Sequence, residues 1–101
     1  MQLSHKKRLD IFIEAHSLAP VEALLSKCGF KGWTVLEGVE GSGAHGAWRQ
    51  TGIGEQAAYL VVAIGAEAAA EAALAELSAY FTDYPGIVTI TDVTVVRGER
   101  F

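Results

Sequence analysis

Cysteine is nearly absent. The single thiol, Cys28, cannot close an internal disulfide, which argues against a disulfide-stapled scaffold and for a reducing, cytoplasmic setting. Positive charge is also scarce: eight Lys and Arg against twelve Asp and Glu give a formal net charge of −4. Nucleic-acid binding rests on a surplus of surface cations, so no nucleic-acid partner is expected, whereas a few placed arginines still suit a small anion. No apolar run reaches the roughly 18 to 20 residues that span a bilayer. The opening MQLSHKKRLDIFIE is interrupted by Asp10 and Glu14, which argues against a signal peptide.

Catalytic and metal signatures are missing as well. His5, His16, His45 and Cys28 show no ligand spacing such as C-x-x-C or H-x-x-x-H, so no metal site is expected. Cys28 falls on an apolar helix stripe and is expected to be a packed core thiol. His45 alone sits in a loop, where an imidazole can touch an anion. Glu37 and Glu40 lack a nucleophile and a pocket, and read as a solvated strand edge. Nothing marks the chain as an enzyme.

What remains is a globular balance. The chain has 101 residues, 50% hydrophobic and 20% charged, enough for a single domain spanning 1–101 with one modest core. Residues 7–14 alternate, with Leu9, Ile11 and Ile13 on one side and Asp10, Phe12 and Glu14 on the other, which predicts a strand with an aromatic on its second face. In SLAPVEALLSKCG, the residues Val21, Leu24, Leu25 and Cys28 form one helical stripe. Pro20 falls in the first turn and Gly29 serves as a left-handed cap.

A second strand is predicted over 33–39, and a third, apolar on both faces, over 57–65. An alanine-rich helix is predicted from Glu67 to Phe81, with Ala70, Leu74, Leu77 and Phe81 inward. A fourth strand is predicted over 87–96. Its apolar phase switches near Thr91-Asp92, which implies either a bulge or two halves that bury different faces.

The order β-α-β-β-α-β predicts an α+β, ferredoxin-like fold: a four-stranded antiparallel sheet with two helices on one face. The other face would then carry Phe12 and apolar residues of the third strand, a surface suited to self-association in a closed ring.

The connection between the second and third strands, roughly Glu40 to Gln56, is too long for an ordinary hairpin loop and holds Gly41, Gly43, Gly46, Gly52 and Gly54. It contains GSGAHG, a G-x-G-x-x-G spacing. A dinucleotide fold needs a helix opening at the third glycine, and here AWRQTGIGE leads into another strand, so the fingerprint does not apply. Its physics still does: successive glycines let backbone N–H groups approach an anion closely. Without ligand, residues 41–54 are expected to be flexible.

Two segments, CGFKGWTVLEGVEGSG (28–43) and YPGIVTITDVTVVR (84–97), resemble the PII signal-transduction superfamily, in particular its PII-like carboxysome-associated branch. The resemblance implies a homotrimer that binds ADP, AMP or ATP in clefts between subunits, with no prosthetic group. It places Thr34 near the adenine, Gly41 and Gly43 near the phosphates at the start of a T-loop, and Gly86 in a B-loop. Arg97 and Arg100 would supply phosphate-binding guanidinium groups, whose paired donors suit phosphate oxygens.

The resemblance further implies bicarbonate as a second ligand, with Arg49, Gly41 and Gly43 around it, and a membrane bicarbonate transporter as a partner. The chain departs from archetypal PII proteins in three places: Ala44 stands for an arginine, Ile87 for a B-loop lysine, and Trp48 is the T-loop's sole aromatic where a modified tyrosine is usual. Fewer phosphate-directed cations imply weak selectivity for the triphosphate, and the 2-oxoglutarate response does not carry over. The competing class is a trimer of the divalent-cation-tolerance type, metal-binding or structural, which the glycine-rich loop and terminal arginines disfavour.

Overall fold

The computed structural model describes residues 1–43, 46–49 and 58–101. Strand β1 is Leu3–Glu14, four residues longer at its start than the alternation predicts. The added residues carry little apolar pattern of their own and are held by pairing with the final long strand, β6 (Gly86–Val96). That pairing runs in one unbroken antiparallel register from Leu3↔Val96 to Ile13↔Gly86. No bulge interrupts it at Thr91-Asp92. The phase switch has the other cause: Val88 pairs with buried Ile11, whereas Val93 and Val95 pair with Lys6 and Ser4 on the opposite face.

After a single 3-10 turn, helix α1 (Leu18–Lys27) places Pro20 in its first turn, where an N–H has no intrahelical partner to lose. The helix closes through Gly29, whose φ of +103° a side chain would resist. Gly29 N–H reaches the Ser26 carbonyl at 3.2 Å and Phe30 N–H the Leu25 carbonyl at 3.0 Å, a Schellman arrangement. Phe30 is thereby driven into the core.

Strand β2 is only Thr34–Glu37, shorter than the sequence predicts. Trp33 turns back to α1 instead, its Nε1 donating to Glu22 at 2.9 Å, and beyond Glu37 the Gly38 N–H makes a bond to the Ala58 carbonyl. A hairpin follows, β3 (Glu40–Gly43) and β4 (Gly46–Arg49), paired Glu40↔Arg49 through Gly43↔Gly46. Within 41–54, seven residues lie in strands, and residues 44–45 and 50–54, His45 among them, lie outside the described residues.

Strand β5 is Ala58–Gly65. Helix α2 is Glu67–Tyr80, with Glu67 favourably placed near the positive end of its dipole. Its fully buried side is Ala70, Ala73 and Leu77; Leu74 and Phe81 are only half-buried. All four residues expected to face inward therefore lie in the core or pack against it, and Ala73 joins them.

The four long strands form an antiparallel sheet in the order β2-β5-β1-β6, the ferredoxin-like arrangement. Leu9, Ile11 and Ile13, with Val61 and Ala63, meet Val21, Leu25, Ala70, Ala73 and Leu77 in one core. Fully buried Ser17 shares a hydrogen bond with the Tyr80 hydroxyl at 2.8 Å, which satisfies both groups. On the helix-free face, cross-strand partners align Ile87, Phe12, Leu60 and Leu36 in a single apolar row across all four strands. Phe12, Leu36 and Ile87 remain 47, 49 and 63% exposed.

Candidate functional site

The residues expected to hold a ligand fall at two ends of the sheet. Thr34 opens β2 and is exposed. Its partner Val62 pairs in turn with Asp10, so the threonine shares the helix-free face with that carboxylate, which accepts a hydrogen bond from Arg8 Nε at 2.8 Å. Gly41 and Gly43 follow on β3, at the root and tip of the hairpin. Gly86 begins β6 at the same end of the sheet, opposite Ile13, but on the other edge.

The two arginines stand at the far end of β6. Arg97 adopts left-handed backbone angles, φ 67° and ψ 44°, and opens a terminal turn in which Arg100 N–H reaches the Arg97 carbonyl at 3.0 Å. The turn is anchored by Gly98, which is fully buried against Ser4 of β1. A Cβ at Gly98 would come within 2.2 Å of the Ser4 hydroxyl oxygen. Both arginine side chains are exposed.

Gly86 and Arg97 are eleven strand positions apart, a distance of roughly 36 Å at the usual rise per residue. Thr34 and β6 are separated by three strand spacings, roughly 14 Å. One chain therefore does not gather these residues around one small molecule. A ligand that touches both the hairpin end and the arginine end requires residues from two chains.

Arg49, expected as a cation for a small anion, faces Glu40 across the hairpin at 3.4 Å in an exposed ion pair, a contact that water screens and a ligand can replace. Glu40 is accordingly part of an ion pair and not half of a carboxylate pair. Gly86 is crowded from within: a Cβ there would lie 2.2 Å from the half-buried Phe81 ring, so packing is itself a reason for glycine at this position.

Cys28, expected to be a packed core thiol, packs half-buried against the core at the α1–α2 seam; desolvation pushes its thiol pKa up, with the Glu76 carboxylate adding to the effect. The thiol is therefore protonated and weakly nucleophilic at neutral pH. Among the described residues, no three His, Cys, Asp or Glu side chains converge as metal ligands. Among the described residues, no helix is long and apolar enough to cross a membrane.

Other groups were not legible as parts of a site. Lys7 is ion-paired with Asp92, which raises the lysine pKa and removes a free cation from the middle of the β1–β6 ribbon. Tyr84 stacks on Tyr80 at 4.6 Å, with the His16 ring 6.1 Å from Tyr84, so the turn before Gly86 is braced by aromatic rings. Trp48 lies across Gly41 and Gly38, within 2.7 Å and 3.0 Å of where their Cβ atoms would be. The spacing of two glycines and a tryptophan was visible in the sequence; the hairpin that joins them was not.

The sequence model of the family described as nitrogen regulatory protein P-II matches residues 6–100. No curated protein matches the chain. Among solved structures, the chain is similar to CPII, a nitrogen regulatory PII-like protein from Thiomonas intermedia K12, bound to ADP, AMP and bicarbonate. That likeness has a TM-score of 0.90 at 25% identity and covers 99% of this chain and 96% of that one. The same protein bound to ADP and bicarbonate gives 0.87 at 26% identity, covering 99% and 97%. A protein from Thermus thermophilus described as PII-like and signalling gives 0.86 at 28% identity, covering 100% and 99%.

Proposed function

This chain belongs to the nitrogen regulatory protein P-II family, and from that premise we propose that it is a PII-like, non-enzymatic regulator in the cytoplasm. It binds an adenine nucleotide, ADP, AMP or ATP, between the subunits of a homotrimer, together with bicarbonate. Ligand binding sets the state of the T-loop, which begins as the β3–β4 hairpin, for docking on a partner such as a membrane bicarbonate transporter. This is the role of the carboxysome-associated branch: reporting inorganic-carbon or energy status.

The observation that carries the proposal is the likeness to CPII bound to ADP, AMP and bicarbonate, which extends over 99% of the chain. Two features of the chain support it. The candidate residues lie too far apart within one subunit, so an intersubunit cleft explains why Thr34, Gly41 and Gly43 stand at one end and Arg97 and Arg100 at the other. The row Ile87, Phe12, Leu60 and Leu36 leaves an apolar face for neighbouring copies to cover. In each cleft, the arginines of one subunit would meet phosphates cradled by Gly41 and Gly43 of the next. Bicarbonate would lie beside them, with Gly41, Gly43 and Arg49 released from Glu40 as its partners.

The test is light scattering followed by calorimetric titration of ADP. A trimer that binds one ADP per subunit is the expected result. A stable monomer at micromolar concentration would remove the intersubunit site, and a trimer that ignores ADP, AMP and ATP would remove the nucleotide.

A further inference from the structure

Gly41 and Trp48 are directly opposed in the β3–β4 register. In such a pair the two side chains normally stand side by side; here the missing Cβ lets the indole lie flat over the glycine. A Cβ at Gly41 would meet Cζ2 at 2.7 Å, Cε2 at 2.9 Å and Nε1 at 3.0 Å of the ring. The far edge of the same ring reaches Gly38, where a Cβ would meet Cη2 at 3.0 Å and the Ala58 carbonyl oxygen at 3.2 Å.

Gly38 and Ala58 share a hydrogen bond of 2.8 Å at the end of the main sheet. Trp48 thus spans from the hairpin to the sheet, and it is half-buried in a segment whose other described side chains are small or charged. A lone two-stranded hairpin is marginal in water, and the exposed Glu40–Arg49 pair adds little.

We propose that Trp48 is the positioning residue of the T-loop root. Its indole, seated on Gly41 and Gly38, latches the hairpin to the end of the sheet and so presents the backbone of residues 41–43 to ligand. Gly41 is a glycine because the indole occupies the place of its side chain. The proposal rests on the nucleotide-binding function for its effect on affinity, but the latch itself is a property of the chain. A ligand that binds only the docked hairpin is weakened by the fraction of time the latch is open.

The experiment uses full-length protein with Trp33→Phe, which leaves Trp48 the only tryptophan. Acrylamide quenching of Trp48 should be low in this background and rise several-fold when Gly41→Ala expels the ring. Calorimetry then compares ADP affinity in Trp48→Ala, Trp48→Phe, Gly41→Ala and the Gly41→Ala/Trp48→Ala double variant. Each alanine variant should weaken ADP on the order of tenfold, equivalent to about 1.4 kcal/mol. Trp48→Phe should recover most of the affinity, and the double variant should bind no worse than Trp48→Ala alone.

Unchanged quenching in Gly41→Ala, or wild-type ADP affinity in Trp48→Ala, overturns the latch. A further tenfold loss in the double variant also overturns it, since Gly41 would then be required by the ligand and not by the ring. A parent protein that binds no adenine nucleotide overturns the proposed function, while the quenching comparison still decides the latch.

Discussion

Arg97 holds left-handed backbone angles, which cost a residue with a Cβ roughly 1–2 kcal/mol, at a position where glycine would be free of strain. An exposed arginine kept there against stability is consistent with the proposed phosphate-binding role. Arg97→Gly relieves the strain, offset by about 0.4–1 kcal/mol of added unfolded-state entropy. Thermal unfolding should therefore show the variant at least as stable as the parent, to within a few tenths of a kcal/mol. ADP affinity should fall by about 1.5–3 kcal/mol, the range for a hydrogen bond to a charged group. A variant that loses stability and affinity in proportion would make Arg97 structural. The same separation applies to Gly86. Inserting a methyl group 2.2 Å from the Phe81 ring overpacks the core, so Gly86→Ala should cost about 1–3 kcal/mol of stability by denaturant unfolding. Phe81→Leu in the same chain should recover part of that loss. Full stability with lost ADP binding would instead assign Gly86 to the ligand.

Elements were legible where their signals are local. Helix α1 has Pro20 at its start, an apolar stripe and Gly29 at its end, and the structure follows each. Strand β5 reads apolar on both faces because one face meets the helices and the other carries Leu60 and Val62. What was not legible depends on distant pairing. Residues 3–6 become strand because β6 lies beside them, and the unbroken β1–β6 register lets the apolar phase change without a bulge. The hairpin was hidden for a related reason: its glycines read as freedom, whereas Gly38 and Gly41 are seats for Trp48. The site itself was legible only in part. Sequence supplied the candidates Thr34, Gly41, Gly43, Gly86, Arg97 and Arg100 through family resemblance, but the placing of Gly86 and Arg97 at opposite ends of β6 and of Gly41 and Gly43 on a separate hairpin depends on strand pairing.

At the scale of the whole molecule, the proposed ring of subunits would account jointly for the apolar row on the helix-free face and for the separation of the candidate ligand residues. Phe12 stands within that row, so Phe12→Lys would place an unpaired charge in the interface, a cost of several kcal/mol if it stays buried. Light scattering should report monomer for this variant, and ADP binding should disappear with the trimer although no ligand residue has changed. Monomers that bind ADP with parent affinity would place the site within one chain. If, as proposed, nucleotide and bicarbonate stabilise the same state of the hairpin, each tightens the other by an equal factor, by linkage. Calorimetric titration of ADP across a bicarbonate series, at fixed pH and ionic strength, tests this directly. The expected result is an ADP affinity that rises with bicarbonate to a plateau about 5- to 150-fold tighter, a coupling of about 1–3 kcal/mol. An ADP affinity that stays constant across the series would contradict joint sensing of the two ligands.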